Sequence, residues 1–166
     1  GRCQDSENQI VAIVAIGYTK CNLYREQVCL KLQAAGYHLV NYISPGSNCW
    51  NGTIRGNNII VFDNVFVGVG CELYDGVIIS EGTTLSHDVK VGKYVFFSDE
   101  VTVGGHATIG NNSFLGLNST IKSNSKIGSY NIVGSGTNVI RSTEDYSLTI
   151  GNPGVSYIKN TLQVDI

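Results

Sequence analysis

Histidines are the residues of this chain with the clearest capacity for acid–base chemistry. The three are His38, His87 and His106, and His87 is followed directly by a carboxylate, Asp88. An imidazole has an unperturbed pKa of about 6.5, so it can accept a proton at neutral pH. A lone surface histidine is seldom catalytic, so the fold must bring further groups to it before a reaction can be inferred.

Neither the histidines nor the cysteines are spaced like metal ligands. A zinc site made of histidines alone needs three of them in a spaced constellation, and His38 lies far upstream of the other two. We therefore expect no metal, and we expect His106 to be a solvated corner residue or a contact at the edge of the substrate. The cysteines number five, an odd count without paired metal spacing, which indicates reduced thiols.

The composition limits the size of the protein and the class of its partners. A chain of 166 residues makes one domain with at most a small appendage. A net charge of -2, 14% charged residues and the lack of any Lys/Arg run exclude a strongly basic nucleic-acid surface. The longest apolar run, residues 10–16, is too short to cross a bilayer. We expect a cytoplasmic protein with no membrane partner, and with small molecules or protein subunits as partners.

The dominant pattern in the chain is a six-residue ladder of aliphatic and aromatic residues, called rungs below. Four places after each rung through Val133 lies a mostly small residue, and glycine directly follows seven of the rungs. The fourteen rungs are Val61, Val67, Leu73, Ile79, Leu85, Val91, Phe97, Val103, Ile109, Leu115, Ile121, Ile127, Val133 and Val139.

A period of six predicts a short strand followed by a turn, because a helix of 3.6 residues per turn would scatter the rungs around its axis. Each rung and the small residue two places before it point the same way, so both face inward. We expect the glycine after the rung to supply a positive φ at the corner. Three edges then close a coil of eighteen residues, and coils stack about 4.8 Å apart as parallel strands.

The first 47 residues follow a different pattern, which predicts a βαβ unit. The run at residues 10–16 predicts a strand buried on both faces, and Asn22 is a candidate cap for a helix that runs to about Ala35, with Gly36 as its stop. Residues 38–43 then predict a second strand. Residues 48–166 are expected to form the stacked three-edged coils, which together make a three-sided prism. Trp50 is expected to cover the open end of this prism.

These features together resemble the left-handed parallel β-helix acyltransferases, the hexapeptide-repeat family. The ladder over residues 54–154 carries the resemblance, and Ser86-His87-Asp88, Gly104-Gly105 and the closing Gly151-Asn152-Pro153-Gly154 indicate the branch of nucleotide-sugar and sialic acid acetyltransferases. The implied fold is mainly β, a left-handed parallel β-helix preceded by a small βαβ, partially Rossmann-like segment. The resemblance also implies that residues 1–47 are the remnant of a sugar-nucleotide-binding domain.

The resemblance assigns a role to each matching residue. His87 is the implied general base, Asp88 replaces the usual glutamate that orients it, and the N–H of Gly105 is the implied donor to the developing oxyanion. Gly105 lies eighteen residues after His87, one full coil or about 5 Å away. The implied acetyl-CoA contacts are Phe96, Gly105, Leu117 and Ser135, although Phe96 and Ser135 depart from the residue types usual there. In the tail, Val155 replaces an expected basic residue, which leaves Lys159 as the nearest candidate for a phosphate contact.

The implied function is acetyl transfer from acetyl-CoA, as co-substrate, to the amino group of a UDP- or dTDP-linked amino-deoxy sugar by a homotrimer. Two alternatives stay open at this stage. One is O-acetylation of a sugar of the sialic acid type. The other is a non-enzymatic hexapeptide-repeat scaffold subunit in which His87 has no catalytic role.

Overall fold

The computed structural model describes residues 10–151. Within them lie one α-helix and nineteen two-residue strands. The elements are β1 Val11–Ala12, α1 Leu23–Ala34, β2 His38–Leu39, β3 Tyr42–Ile43, β4 Asn48–Cys49, β5 Ile60–Val61, β6 Phe66–Val67, β7 Glu72–Leu73, β8 Ile78–Ile79, β9 Thr84–Leu85, β10 Lys90–Val91, β11 Phe96–Phe97, β12 Thr102–Val103, β13 Thr108–Ile109, β14 Phe114–Leu115, β15 Thr120–Ile121, β16 Lys126–Ile127, β17 Ile132–Val133, β18 Asn138–Val139 and β19 Leu148–Thr149.

The strands from β3 onward form three parallel sheets, which are the three faces of a β-solenoid of about six coils. The seven-stranded face has the order β19-β17-β14-β11-β8-β5-β3. The six-stranded face has the order β18-β15-β12-β9-β6-β4, and the four-stranded face has the order β16-β13-β10-β7. Strands pair with a shift of one coil, as where Phe97 pairs with Leu115. The predicted eighteen-residue triangular coil is confirmed.

The interior of the solenoid consists of the rungs and the small residues between them. Every rung is at most 3% exposed, and all of them lie in one continuous cluster. Burying a rung of this size contributes about 1.5 to 3 kcal/mol. Two of the polar residues in the small positions donate their hydroxyls to nearby backbone, Thr83 to the Ser98 carbonyl and Ser113 to the Gly128 carbonyl, whereas the buried hydroxyl of Ser119 has no partner among the described residues.

The corners of the coil differ from the prediction in where the left-handed conformation lies. Positive φ occurs three places after the rung, as at Asp88 (φ 57°) and Asn118 (φ 52°), and not at the glycine directly after it. That glycine is needed because coils pack closely there: a Cβ at Gly104 would lie 2.5 Å from the amide nitrogen of Ser123 in the next coil. Close approach of two backbones, and not backbone twist, explains the glycine that follows the rung.

The segment before the solenoid is a small unit in which β1 and β2 pair in parallel and α1 packs beside β2. The predicted burial of residues 10–16 on both faces is wrong, because Val14 is buried whereas Ile10 and Val11 are 61% and 58% exposed. The predicted strand at residues 38–43 is divided. Its second part, β3, joins the seven-stranded face and pairs with β5, so the solenoid begins upstream of residue 48.

Helix α1 is attached to the corners between the four-stranded and seven-stranded faces by two buried polar side chains. Asn22 does not cap the helix with its side chain as predicted; its amide instead donates to the carbonyls of Asn112 and Ser113. Arg25, fully buried, donates to five backbone carbonyls, at Ile16, Gly17, Gly76, Tyr94 and Val95. The helix ends near the predicted position, at Ala34, with Gly36 at φ 86°.

The first coil is closed by aliphatic side chains and a thiol. Ile43, Cys49 and Ile54 pack against the core cluster, whereas Trp50 is 54% exposed and is not among the residues packed on it. The prediction that Trp50 covers the open end is therefore wrong. Among residues 10–151, no helix has the length and apolar character needed to span a bilayer.

Candidate active site

The candidate site lies on the edge between the six-stranded and four-stranded faces, where the chain turns from β9 into β10. His87 lies two places and Asp88 three places after the rung Leu85, so both side chains point away from the core. One coil later the same two positions hold Gly105 and His106, between β12 and β13. The solenoid therefore stacks His87 on Gly105 and Asp88 on His106.

His87 and Asp88 form a hydrogen-bonded pair. The Nδ1 atom of His87 lies 2.9 Å from Oδ2 of Asp88, and both side chains are about half exposed (53% and 49%). An ionised carboxylate accepts but cannot donate, so Nδ1 carries the hydrogen and donates it. The lone pair of the neutral imidazole is then at Nε2, which is the atom available to accept a proton.

The hydrogen bond from His87 also lowers the pKa of the Asp88 carboxyl below its usual value. The positive charge that His106 and His87 can carry adds to this effect, while partial desolvation opposes it. Asp88 is therefore ionised at neutral pH, which is the state required of a carboxylate that orients an imidazole.

Gly105 makes the stacking of the two coils possible. A Cβ at Gly105 would lie 2.6 Å from Nε2 of His87, so the imidazole rests directly against the Gly105 backbone. Gly70, one coil before Asp88, has the same relation to the carboxylate, because a Cβ there would collide with Oδ1 of Asp88. Within the described residues the Gly105 N–H has no acceptor, while its carbonyl accepts from Asn124. A backbone donor is thus free beside the nitrogen that can act as a base.

His106 is a third polar side chain at this edge, and its proximity to the other two depends on the stacking of coils. Its Nδ1 lies 3.8 Å from Oδ2 of Asp88, and its ring is nearly perpendicular to that of His87, with centroids 4.8 Å apart. It is 56% exposed and has φ 59°. His106 thus lies at a solvated corner, as expected, and it also contacts Asp88. His38 lies on β2, outside this cluster.

The expected acetyl-CoA contacts lie on three different parts of the surface of one chain. Gly105 is on the edge of His87, whereas Leu117 and Ser135 lie on the edge that follows the seven-stranded face, after β14 and β17. Phe96 lies on the seven-stranded face itself, half buried. A single chain therefore does not bring Leu117 or Ser135 to His87.

A cavity of about 420 Å³ on the seven-stranded face was not predicted. Residues 18–21 form one side of it, and Phe114 and Ile132 form the other. The ring of Tyr18 packs on Phe114 and Phe96, at centroid distances of 4.4 and 5.2 Å. The only signal in the sequence is that aromatic residues occupy outward positions of two successive coils on this face, which is unusual for a solvated surface.

Comparison with known proteins gives no match to any family profile or to any curated protein. Solved structures do match. PerB from Caulobacter crescentus, in complex with CoA and GDP-perosamine, superposes with a TM-score of 0.79 and 28% sequence identity over 86% of this chain and 67% of PerB. The acetyltransferase domain of PglB from Neisseria gonorrhoeae, in complex with acetyl coenzyme A, gives 0.80 and 28% over 85% of this chain and 67% of that domain.

A third match is a histidine-to-alanine mutant of GDP-perosamine N-acetyl transferase from Caulobacter crescentus, with CoA and GDP-perosamine bound. It gives a TM-score of 0.78 and 28% identity over 86% of this chain and 66% of that chain. The resemblance predicted from the ladder and from Ser86-His87-Asp88 is thereby confirmed: the chain is a parallel β-solenoid, and acetyltransferase structures are among its structural neighbours.

Proposed function

We propose that the protein transfers the acetyl group of acetyl-CoA to the amino group of a nucleotide-linked amino-deoxy sugar. The observation that carries this proposal is the His87 imidazole, oriented by Asp88 at 2.9 Å and resting on Gly105 with Nε2 available. Structures of similar fold with CoA or acetyl-CoA bound support acetyl-CoA as the co-substrate. The GDP-perosamine complexes support an amino sugar on a nucleotide carrier as the acceptor.

The chemistry is direct transfer with general-base assistance. The amine of the acceptor attacks the thioester carbonyl carbon while Nε2 of His87 takes a proton from the nitrogen, and Asp88 stabilises the resulting imidazolium. The carbonyl oxygen becomes negatively charged, and the free N–H of Gly105 donates to it. Collapse of the tetrahedral intermediate breaks the carbon–sulfur bond, and the CoA thiolate leaves and takes up the proton. No nucleophile on the protein is required.

A groove that holds acetyl-CoA beside His87 requires two chains. Leu117 and Ser135 lie on a different edge of the prism from His87 and Gly105, so one chain can place only part of the expected acetyl-CoA contacts beside the base. A threefold assembly of a three-sided prism brings one edge of each chain against a different edge of the next. The protein is therefore a homotrimer with three sites, each shared by two chains. We assign it to the cytoplasm, where acetyl-CoA and sugar nucleotides are available.

We propose that the segment before β3 is the remnant of a sugar-nucleotide-binding domain. The bonds of Arg25 to corner carbonyls between the four-stranded and seven-stranded faces support a fixed position of this segment relative to the solenoid. The cavity between residues 18–21 and Phe114 adds a concave surface at that junction.

The central test is replacement of His87 by alanine and by asparagine. We expect kcat for acetyl transfer to fall by about 10²- to 10⁴-fold in both variants, the usual contribution of a positioned general base. Turnover is measured as thiol release from acetyl-CoA with GDP-, UDP- and dTDP-linked 4-amino sugars, and the acetylated product is identified by mass. The matched control is His38→Asn, an exposed histidine outside the site.

Activity within threefold of wild type in both His87 variants would refute the proposed base. Turnover with free hydroxyl sugars and none with amino sugars would favour O-acetylation instead. The shared groove is tested separately by coexpressing His87→Ala with Leu117→Asp: each variant alone should be inactive, and mixed trimers should regain part of the activity. Failure of mixed trimers to regain activity would argue against sites made by two chains.

A further inference from the structure

The edge that carries His87 also presents a group of three metal-ligating side chains. One ligand atom from each of His87, Asp88 and His106 lies within 4.8 Å of the others. The carboxylate oxygen Oδ2 is central, at 2.9 Å from Nδ1 of His87 and 3.8 Å from Nδ1 of His106. All three side chains are about half exposed in the single chain.

The spacing of these atoms suits a tetrahedral transition-metal ion. Bonds of about 2.0 to 2.2 Å to nitrogen and oxygen place neighbouring ligand atoms about 3.3 Å apart, and the two measured distances bracket that value. The backbone is already fixed by the solenoid, because the N–H of His106 donates to the His87 carbonyl at 3.0 Å. The ligand atoms of His87 and His106 lie within 4.8 Å of each other, so the exposed side chains must rotate to close the site around an ion.

Room for the cluster comes from the glycines stacked next to it. Gly105 leaves space against the His87 ring, and Gly70 leaves space against the Asp88 carboxylate. Two imidazoles and one carboxylate are ligands that Zn²⁺ accepts readily, whereas Mg²⁺ and Ca²⁺ prefer all-oxygen sites. The cluster therefore fits a borderline transition-metal dication.

We propose that His87, Asp88 and His106 bind Zn²⁺, and that the bound ion inhibits the enzyme instead of serving as a cofactor. To ligate the ion, Nδ1 of His87 must offer its lone pair, so the imidazole hydrogen moves from Nδ1 to Nε2. The ion then takes the place of the hydrogen shared with Asp88. Nε2, now protonated, cannot accept a proton from the acceptor amine, and the general base is lost while the metal is bound.

The binding site stands on the geometry alone, whereas the inhibition rests on the proposed function. Binding is measured first, by titrating Zn²⁺ into the metal-free full chain in a calorimeter. We expect one ion per chain, at least tenfold weaker binding in His106→Asn, and a change of less than twofold in the matched control His38→Asn. Asparagine is chosen because it tolerates the left-handed φ of 59° at position 106.

Binding that is unchanged in His106→Asn, or none in wild type, would overturn the site. Cysteine thiols are the competing ligands of this chain, and Co²⁺ used in place of Zn²⁺ separates the two cases. Thiolate ligation gives an intense sulfur-to-cobalt charge-transfer band, and the proposed nitrogen and oxygen ligands give none. A charge-transfer band that persists in His106→Asn would show that the ion binds elsewhere.

Inhibition is then measured by mass detection of the acetylated sugar, because released CoA thiol itself binds zinc. We expect Zn²⁺ to inhibit wild type and a chelator to restore activity. Each rate is compared with that of the same variant without zinc. The inhibitory concentration of Zn²⁺ should be at least tenfold higher in His106→Asn than in wild type. Zinc that binds at the site without inhibiting would contradict proton acceptance at Nε2 of His87. An active enzyme that binds no zinc would refute the metal site alone and leave the proposed transferase unaffected.

Discussion

At the scale of single residues, the site depends on an imidazole held in one tautomer. The Asp88 carboxylate accepts the Nδ1 hydrogen of His87, which directs the lone pair of the ring to Nε2. Asp88 itself has φ 57°, a conformation that aspartate and asparagine adopt more readily than most residues. One residue thus combines a local backbone requirement of the corner with orientation of the base.

We expect Asp88→Asn to lower kcat by about 10- to 100-fold with little change in KM for acetyl-CoA. In a Ser-His-Asp catalytic triad, where the orienting carboxylate is buried, its removal lowers kcat by up to about 10⁴-fold. Asp88 is half exposed, so water replaces part of its effect. Asparagine retains the left-handed backbone, so the fold should be intact. Steady-state kinetics with thermal unfolding as the folding control tests this, and an unchanged kcat would remove Asp88 from the mechanism.

We expect Gly105→Ala to lower kcat by about 100-fold. The new methyl group would lie 2.6 Å from Nε2 of His87 and displace the ring, and displacements of about 1 Å cost that much in positioned catalysis. Unfolding temperature should change little, because the half-exposed ring can rotate into solvent. The control is Gly17→Ala, where a Cβ meets no atom within 4 Å. Wild-type kcat in Gly105→Ala would show that the glycine has no role in positioning the base.

At the scale of elements, the attachment of helix α1 to the solenoid depends on a buried cation that has no carboxylate partner among residues 10–151. Arg25 is fully buried, and its guanidinium donates to backbone carbonyls from the turn after β1 and from the corners between the four-stranded and seven-stranded faces. Burial lowers the pKa of this guanidinium to about 10. Without this side chain the buried bonds to the carbonyls of Gly76 and Tyr94 would be lost, whereas the Val95 carbonyl also accepts from the Ile78 N–H.

Replacing Arg25 by methionine should reduce the free energy of unfolding by about 2 to 4 kcal/mol. Methionine keeps much of the apolar volume but provides no donor, and buried unpaired carbonyls cost about 1 to 3 kcal/mol each before relaxation. Chemical denaturation of both variants measures the effect. The matched control, Arg55→Met, removes a half-exposed arginine that lies 4.0 Å from Glu72, and it should change stability by less than about 0.5 kcal/mol. Equal losses in the two variants would contradict the structural role of Arg25.

At the scale of the whole molecule, stability at alkaline pH should depend on groups buried between the helix and the solenoid. Burial raises the pKa of the Cys29 thiol from 9.0 to about 11 and that of the Tyr94 phenol from 10.0 to about 12. The unfolded chain releases these protons at lower pH than the folded chain does. The free energy of unfolding therefore falls as pH rises above 9.

Between pH 9 and 10 we expect a decrease of about 1 kcal/mol, attributable mainly to Cys29. Above pH 10 the lowered pKa of Arg25 acts in the opposite direction, because the unfolded chain then binds the extra proton. Urea denaturation at pH 8, 9 and 10, in wild type and in Cys29→Ala, measures the slope. The slope should be clearly smaller in Cys29→Ala, and an identical slope in both would show that the thiol is not responsible.

The repeated part of the molecule could be predicted from the sequence because its contacts repeat with the same period. Each rung from Val61 to Val139 meets the equivalent residue of the next coil, so one rule covers the strands, the core and the stacking of His87 on Gly105. The type of fold followed from that rule, whereas the role of His87 as candidate base followed from the resemblance of Ser86-His87-Asp88 to the acetyltransferase family. The conformation of the corners did not, since glycine satisfies either a positive φ or a close approach, and sequence alone does not distinguish them.

Only the tertiary structure decided how the non-repeated parts meet the solenoid. The exposure of residues 10–16 and the buried position of Arg25 arise from lateral packing, which no periodic pattern encodes. The meeting of His106 with Asp88 is an intermediate case: the eighteen-residue offset aligns the two positions, but the direction of their side chains depends on the left-handed corner. Local, repeated burial thus determined the architecture of this protein, whereas single long-range contacts determined which of its polar residues meet.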